Sequence, residues 1–258
     1  MIPSKITENS YKIGLNLAVS GGDLNRIRDF FKSRLEVFND IVSKETTLII
    51  SATDWQINDG SQDWGYLSYS TLKYLSFKEK LDFLNNKYEY AKYFIEMFKN
   101  SIMPNESYTD KITHEGFLPI TGRLNDDNFI IDKIDINNHP YYKNIKIDGY
   151  RWREYKISLG YLSSKFNRLI LIIPPISNTW NSYTKNTKIA EMTKIYVENT
   201  KNFIEKSGFE NITLLDFYNN PPLIINDDDY YDYEHLNETG AIKFSKVIKK
   251  YLNDLKHD

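Results

Sequence analysis

The chain has 258 residues, enough for one large domain or two small ones, and its 41% hydrophobic and 26% charged residues exclude a disordered or fibrous protein. Lys and Arg number 33 against 35 Asp and Glu, and the resulting net charge of -2 gives no electrostatic reason for nucleic-acid binding, which favours a basic face. With no Cys, a disulfide framework, thiolate zinc sites and a Cys nucleophile are excluded.

The first fourteen residues, MIPSKITENSYKIG, lack the apolar stretch of a secretory signal. An apolar run at residues 13–19 (IGLNLAV) then ends in Ser20, Gly21 and Gly22. A helix pattern follows, with Leu24, Ile27, Phe31, Leu35, Phe38 and Ile41 at steps of three or four and Asp23 as a candidate N-cap. Residues 46–52 (TTLIISA) read as a second buried strand, and residues 53–76 as a loop rich in Asp, Gly, Ser and Trp. Residues 77–100 carry a helical stripe. Residues 101–149 show no sustained period and read as an insertion or long loop. A helix at 152–166, a strand at Arg168–Ile173, a helix at 185–207 closed by Gly208, a strand at 211–217 and a final helix at 238–252 complete the series. The longest apolar run, 169–173, stops at Pro174 and Pro175, far short of the roughly 20 residues that a membrane span needs.

Short, continuously apolar strands separated by helix-length segments predict crossover connections and one parallel sheet. No Gly/Ser linker divides the chain, so residues 1–258 read as a single α/β domain with residues 101–149 as an insertion. In such a sheet the site lies beyond the carboxyl ends of the strands. The candidate loops are residues 20–23, 53–59 and 174–180, with the segment before the last helix as a fourth.

That segment reads DDDYYDYEHLNETG over residues 227–240. Asp232 and His235 stand three apart in a turn, a spacing that lets both face one cleft. A carboxylate that accepts an imidazole Nδ1–H leaves Nε2 to take a proton from a nucleophile. An Asp run ahead of a helix is more often a solvated loop, and Asn237 is a candidate helix cap. Of the four His, His114 and His139 fall in the insertion and His257 on the tail, so position favours His235.

The segment DYEHLNETGAIKFS, residues 232–245, resembles the last block of SGNH (GDSL-like) hydrolases, where Asp-x-x-His supplies two members of a Ser/Asp/His triad. Its HLN-x-x-GA-x-x-FS form is similar to the divergent bacterial branch that acylates cell-surface polysaccharides, which includes the teichoic-acid D-alanylation protein. NLAVSGGD, residues 16–23, resembles the second block, and LIIPPIS, residues 171–177, resembles the strand and turn before the later helices. The resemblance implies a three-layer α/β/α, flavodoxin-like SGNH domain with a parallel sheet. It implies an esterase or O-acyltransferase with Asp232 and His235 as catalytic residues and backbone N–H groups of Gly21 and Gly22 in the oxyanion hole. Asn58 is a further oxyanion candidate, with Asp54 or Trp55 as alternatives for its position. The implied partner is a carbohydrate or acyl-ester substrate, with no cofactor, metal or nucleic acid.

No Gly-Asp-Ser or Gly-Ser-Ser nucleophile block occurs in the chain. The resemblance places that block a few residues before Met1, which leaves the domain without its first strand. It further implies an extracytoplasmic, membrane-anchored full-length form. Two other readings stand beside this one. The chain is a catalytically inactive carbohydrate-binding remnant, or Ser20 is the nucleophile, being followed by two Gly at a strand–turn–helix junction although Ala18 stands where a nucleophile elbow has Gly. Trp55, Trp64, Trp152 and Trp180 are candidate stacking surfaces for sugar, each with packing as the commoner role.

Overall fold

The computed structural model describes residues 24–33, 46–59, 123, 142 and 144–254. The expected strand at residues 13–19, the Ser20–Gly21–Gly22 turn, the helix at 77–100 and most of the 101–149 insertion lie outside the described residues.

In chain order the elements are α1 (Leu24–Ser33), β1 (Thr47–Ser51), a 3-10 turn at Asp54–Ile57, α2 (Tyr150–Lys165), β2 (Arg168–Ile173), α3 (Asn178–Thr184), α4 (Lys188–Ser207), β3 (Ile212–Asp216), a 3-10 turn at Asp227–Asp229 and α5 (Glu238–Asp254). The three strands form one parallel sheet in the order β1-β2-β3. The register pairs Thr47 with Arg168 across the first ladder and Leu169 with Ile212 across the second. Three of the four apolar runs of the sequence are therefore neighbours in one sheet, as expected for crossover-linked strands.

β2 is the centre of the core. Every residue from Leu169 to Ile173 is buried, and because alternate side chains point to opposite faces, both faces of this strand are covered. Burying one such aliphatic side chain contributes roughly 1.5–3 kcal/mol, so the unbroken run RLILII is the largest local driving force for placing this strand inside. α2 packs on β2, α4 packs on β3 and on the turn after β1, and α1 packs on α2.

Helix ends follow the local chemistry. Thr187 caps α4 by accepting the Ile189 N–H, and Gly208 closes it at φ 66, a left-handed conformation that a Cβ disfavours. Asn211 joins α2 to β3, its Nδ2 donating to the Ser163 and Phe166 carbonyls at 2.9 Å each.

The segment expected to be loop at 174–180 contains α3 instead. NTWNSYT has no helical apolar stripe, and its N-terminus is fixed from outside its own sequence. The Ser177 side chain accepts the Trp180 N–H, while the distant Asp227 carboxylate accepts the N–H groups of Asn178 and Thr179 at 2.7 and 3.1 Å.

The last residues of the expected insertion dock on the turn after β1. Asn58 Oδ1 accepts the Lys146 N–H at 2.8 Å, the Asp59 N–H donates to the Lys146 carbonyl at 2.6 Å, and Asp59 Oδ1 accepts the Arg151 N–H at 2.8 Å. The loop beyond the carboxyl end of β1 is held in place by these bonds.

Candidate active site

The three strands run in one direction, so the segments that leave their carboxyl ends gather at one end of the sheet. The segment from Phe217 to Asn237, which leaves β3, is the longest described, and the side chains of three Asp in its acidic run have separate tasks. Asp227 caps α3, also accepting the Thr179 hydroxyl at 2.6 Å. Asp229 is 2% exposed, pairs with Lys243 at 2.8 Å and accepts the Asn226 N–H in a capping box. Asp232 holds His235.

The Asp232–His235 pair is a local construction. One carboxylate oxygen, Oδ1, accepts the backbone N–H groups of Glu234 and His235 at 2.9 and 2.7 Å, which folds the chain into a turn around it. The same turn brings the ring back, with His235 Nδ1 at 2.9 Å from Oδ1 and 2.8 Å from Oδ2. An antiparallel bridge between Tyr230 and Leu236, with the Tyr231 N–H donating to the His235 carbonyl at 2.8 Å, closes the base of the turn. The His235 side chain is 71% exposed and that of Asp232 22%. With Nδ1 directed at the carboxylate, the neutral ring carries its lone pair on Nε2.

The electrostatics follow from these contacts. Burial alone lifts the Asp232 pKa, but hydrogen bonds from the His235 ring and from the Glu234 and His235 N–H groups outweigh it and hold the carboxyl below its usual range. The Asp232 hydrogen bond lifts the imidazole pKa above its ordinary 6.5, against the opposing effect of burial and with help from the charges of Asp232 and Glu234.

α5 begins beside this turn. Asn237 caps it, its Oδ1 accepting the Gly240 N–H at 3.0 Å and its Nδ2 donating to the Asp228 carbonyl at 2.8 Å. The sequence expectation of a cap at Asn237 and that of an Asp–His pair are both met, because the cap and the pair use different side chains of one turn. Gly240 lies so close to the chain that a Cβ there would land on the Asp229 carbonyl.

The dyad turn is fastened to the segment leaving β2. The Ser177 N–H donates to the Tyr233 carbonyl at 3.1 Å, the Tyr233 ring stacks on Trp180 at 5.2 Å and 13°, and Trp180 Nε1–H donates to Glu234 Oε1 at 3.1 Å. It also feels the segment leaving β1. Asp54, 7% exposed, accepts the Thr193 hydroxyl at 2.6 Å and the Tyr142 hydroxyl at 3.2 Å, and its charge raises the Glu234 pKa after burial does. Burial, then Asp54 and Glu234, raise Tyr142 as well.

The sequence candidates are distributed as follows. Asp232 and His235 are in contact. Asn58 is fully buried beneath Lys146. Ser20, Gly21 and Gly22 lie outside the described residues, as does Trp64. Trp180 is 6% exposed and stacks on Tyr233, and Trp152 is half-buried against Tyr155 and Phe203. Glu234 was not singled out by the sequence, although it lies between the two dyad residues.

Among the described residues no helix is long and apolar enough to cross a membrane, and no three His, Asp or Glu side chains gather as metal ligands. No known protein family matches the chain, and no curated protein does.

Proposed function

We propose that the chain is an SGNH-like esterase or O-acyltransferase that acts on a cell-surface carbohydrate, with His235 as general base and Asp232 as the carboxylate that orients it. The observation that carries this reading is the dyad: an exposed imidazole held through Nδ1 by a carboxylate three residues earlier, beyond the carboxyl ends of a parallel sheet. In this reading the sheet belongs to a three-layer SGNH domain, and residues 13–19 supply a further strand. Nε2 takes the proton of a serine hydroxyl as the serine oxygen bonds to the acyl carbonyl carbon. The bond from acyl carbon to the leaving alcohol then breaks, and the alcohol receives the proton from the imidazolium. Water or a sugar hydroxyl takes the acyl group by the same steps in reverse. The N–H groups of Gly21 and Gly22 receive the oxyanion, a contribution of the order of 10²–10³ in rate for one donor. Asn58, whose Oδ1 accepts the Lys146 N–H, is in this reading a further oxyanion donor through Nδ2.

The test is turnover of p-nitrophenyl acetate by the chain as it stands and by the chain preceded by a strand ending in Gly-x-Ser. The reading expects little turnover from the first, turnover from the second, and loss of it on His235→Ala. Turnover by the first that disappears on Ser20→Ala assigns the nucleophile to Ser20. No turnover from either, with an acetylated or acidic glycan bound in calorimetry, overturns the catalytic reading in favour of a carbohydrate-binding module.

A further inference from the structure

We propose that Glu234 is a positioning residue for His235, its carboxylate tying the histidine-bearing turn to Trp180 of α3. The inference rests on the reading of Asp232 and His235 as a working dyad, and it concerns a contact that the triad chemistry does not use.

Three observations converge on Glu234. Its Oε1 accepts the Trp180 indole N–H at 3.1 Å in a half-buried contact, although the residue as a whole reaches solvent. The indole is a rigid anchor: it is 6% exposed, stacked on Tyr233, and its backbone N–H is held by the Ser177 hydroxyl at 3.1 Å. The Glu234 backbone N–H shares Asp232 Oδ1 with the His235 N–H, so the tethered residue and the base belong to one hydrogen-bonded turn. A shift of Glu234 therefore moves the His235 backbone and the acceptor of its ring together. Without the tether, the Tyr233 ring still stacks on Trp180, but no hydrogen bond from a side chain of the turn reaches the indole, and the imidazole, 71% exposed, keeps its contact with Asp232.

The charges agree with this role. The groups that face Glu234 are Asp54, Asp232, His235, the Trp180 N–H and the hydroxyls of Tyr142 and Tyr218, and those that face His235 are Asp232 and Glu234. Burial of the carboxylate and then Asp54 raise Glu234, while His235 and the indole bond act to keep it ionised. Its negative charge in turn favours the imidazolium that forms when Nε2 takes a proton.

The experiment is an NMR titration of the His235 ring in the full chain, with the Nδ1 proton observed directly. Glu234→Gln keeps an acceptor for the indole and removes the charge: the His235 pKa is expected to move down while the Nδ1 proton stays sharp. Glu234→Ala and Trp180→Phe remove the tether: the Nδ1 proton is expected to broaden through faster exchange with water. If Trp180→Phe does not fold, the two Glu234 variants carry the test, since that side chain sits at the surface. An unchanged His235 pKa in Glu234→Gln together with an unchanged Nδ1 proton in Glu234→Ala overturns the proposal. The readout needs no turnover, so a failure of the ester assay with these shifts intact counts against the catalytic reading and leaves the tether standing.

Discussion

At the scale of single residues, Asp232 decides what His235 can do. A general base must be neutral before it acts, and the hydrogen bond to Asp232 raises the imidazole pKa above 6.5. Acyl-ester turnover is therefore expected to rise with pH along a limb centred above 6.5, and Asp232→Asn should move that limb down. The same substitution favours the wrong ring tautomer, with a loss in kcat of up to ~10⁴ measured on the chain carrying Gly-x-Ser. Stability follows the opposite signs of the two shifts. The raised His235 contributes below its unfolded pKa and loses that contribution as pH rises through the folded value. The lowered Asp232 contributes above its unfolded pKa and loses it as pH falls through the folded value. The pair is thus strongest in the window above the unfolded Asp232 pKa and below the unfolded His235 pKa, and its exposure keeps the effect small. Gly240 is a sharper case. Gly240→Ala drives a methyl group into the Asp229 carbonyl, which also accepts the Asn237 N–H at 2.9 Å, and a loss of about 1–3 kcal/mol in urea unfolding is expected, with the His235 signals displaced. Asp232 and His235 were legible in the sequence because their contact spans three residues; Glu234 was not, because its anchor is 54 positions away.

At the scale of elements, legibility depended on where the stabilising contacts come from. The strands β1, β2 and β3 were readable because each is a compact apolar run, although only β2 is buried along its length, while β1 and β3 are mostly half-buried. α4 and α5 were readable from a stripe with its own cap. α3 was not, since its sequence is polar and one of its two N-terminal anchors is Asp227, 49 residues further on. The sequence reading extended α4 back to Lys185, whereas Thr187 starts the helix by capping it. This origin for α3 has a consequence. Asp227→Ala removes the acceptor for two N–H groups and one hydroxyl, and is expected to lower stability by about 1 kcal/mol, the usual scale for a lost cap. Hydrogen exchange should quicken at Asn178 and Thr179 first. Exchange that is unchanged at these two amides would show that Ser177 alone sustains the helix.

At the scale of the whole molecule, a buried ion pair joins parts of the chain that no pattern in the sequence brings together. Arg28 of α1 lies 2.7 Å from the Glu154 carboxylate of α2, across 126 positions, and the two side chains are 1% and 2% exposed. Arg28 also donates to the Ser158 hydroxyl at 3.1 Å, which donates onward to Asn25 Oδ1 at 2.8 Å, so a polar network runs between two helices within an otherwise apolar packing layer. Taking both charges out of water costs several kcal/mol, which their attraction and these hydrogen bonds must offset. Removing one partner strands the other. Arg28→Met or Glu154→Leu alone is expected to cost about 3–5 kcal/mol in chemical unfolding. The pair of substitutions together replaces two buried charges by apolar side chains, and should cost less than either one. Simple addition of the two single losses would mean that the charges act independently of one another. The His235 titration serves as the control for locality: neither helix supplies a group that shifts the imidazole, so the double variant, once folded, should titrate His235 as the parent chain does.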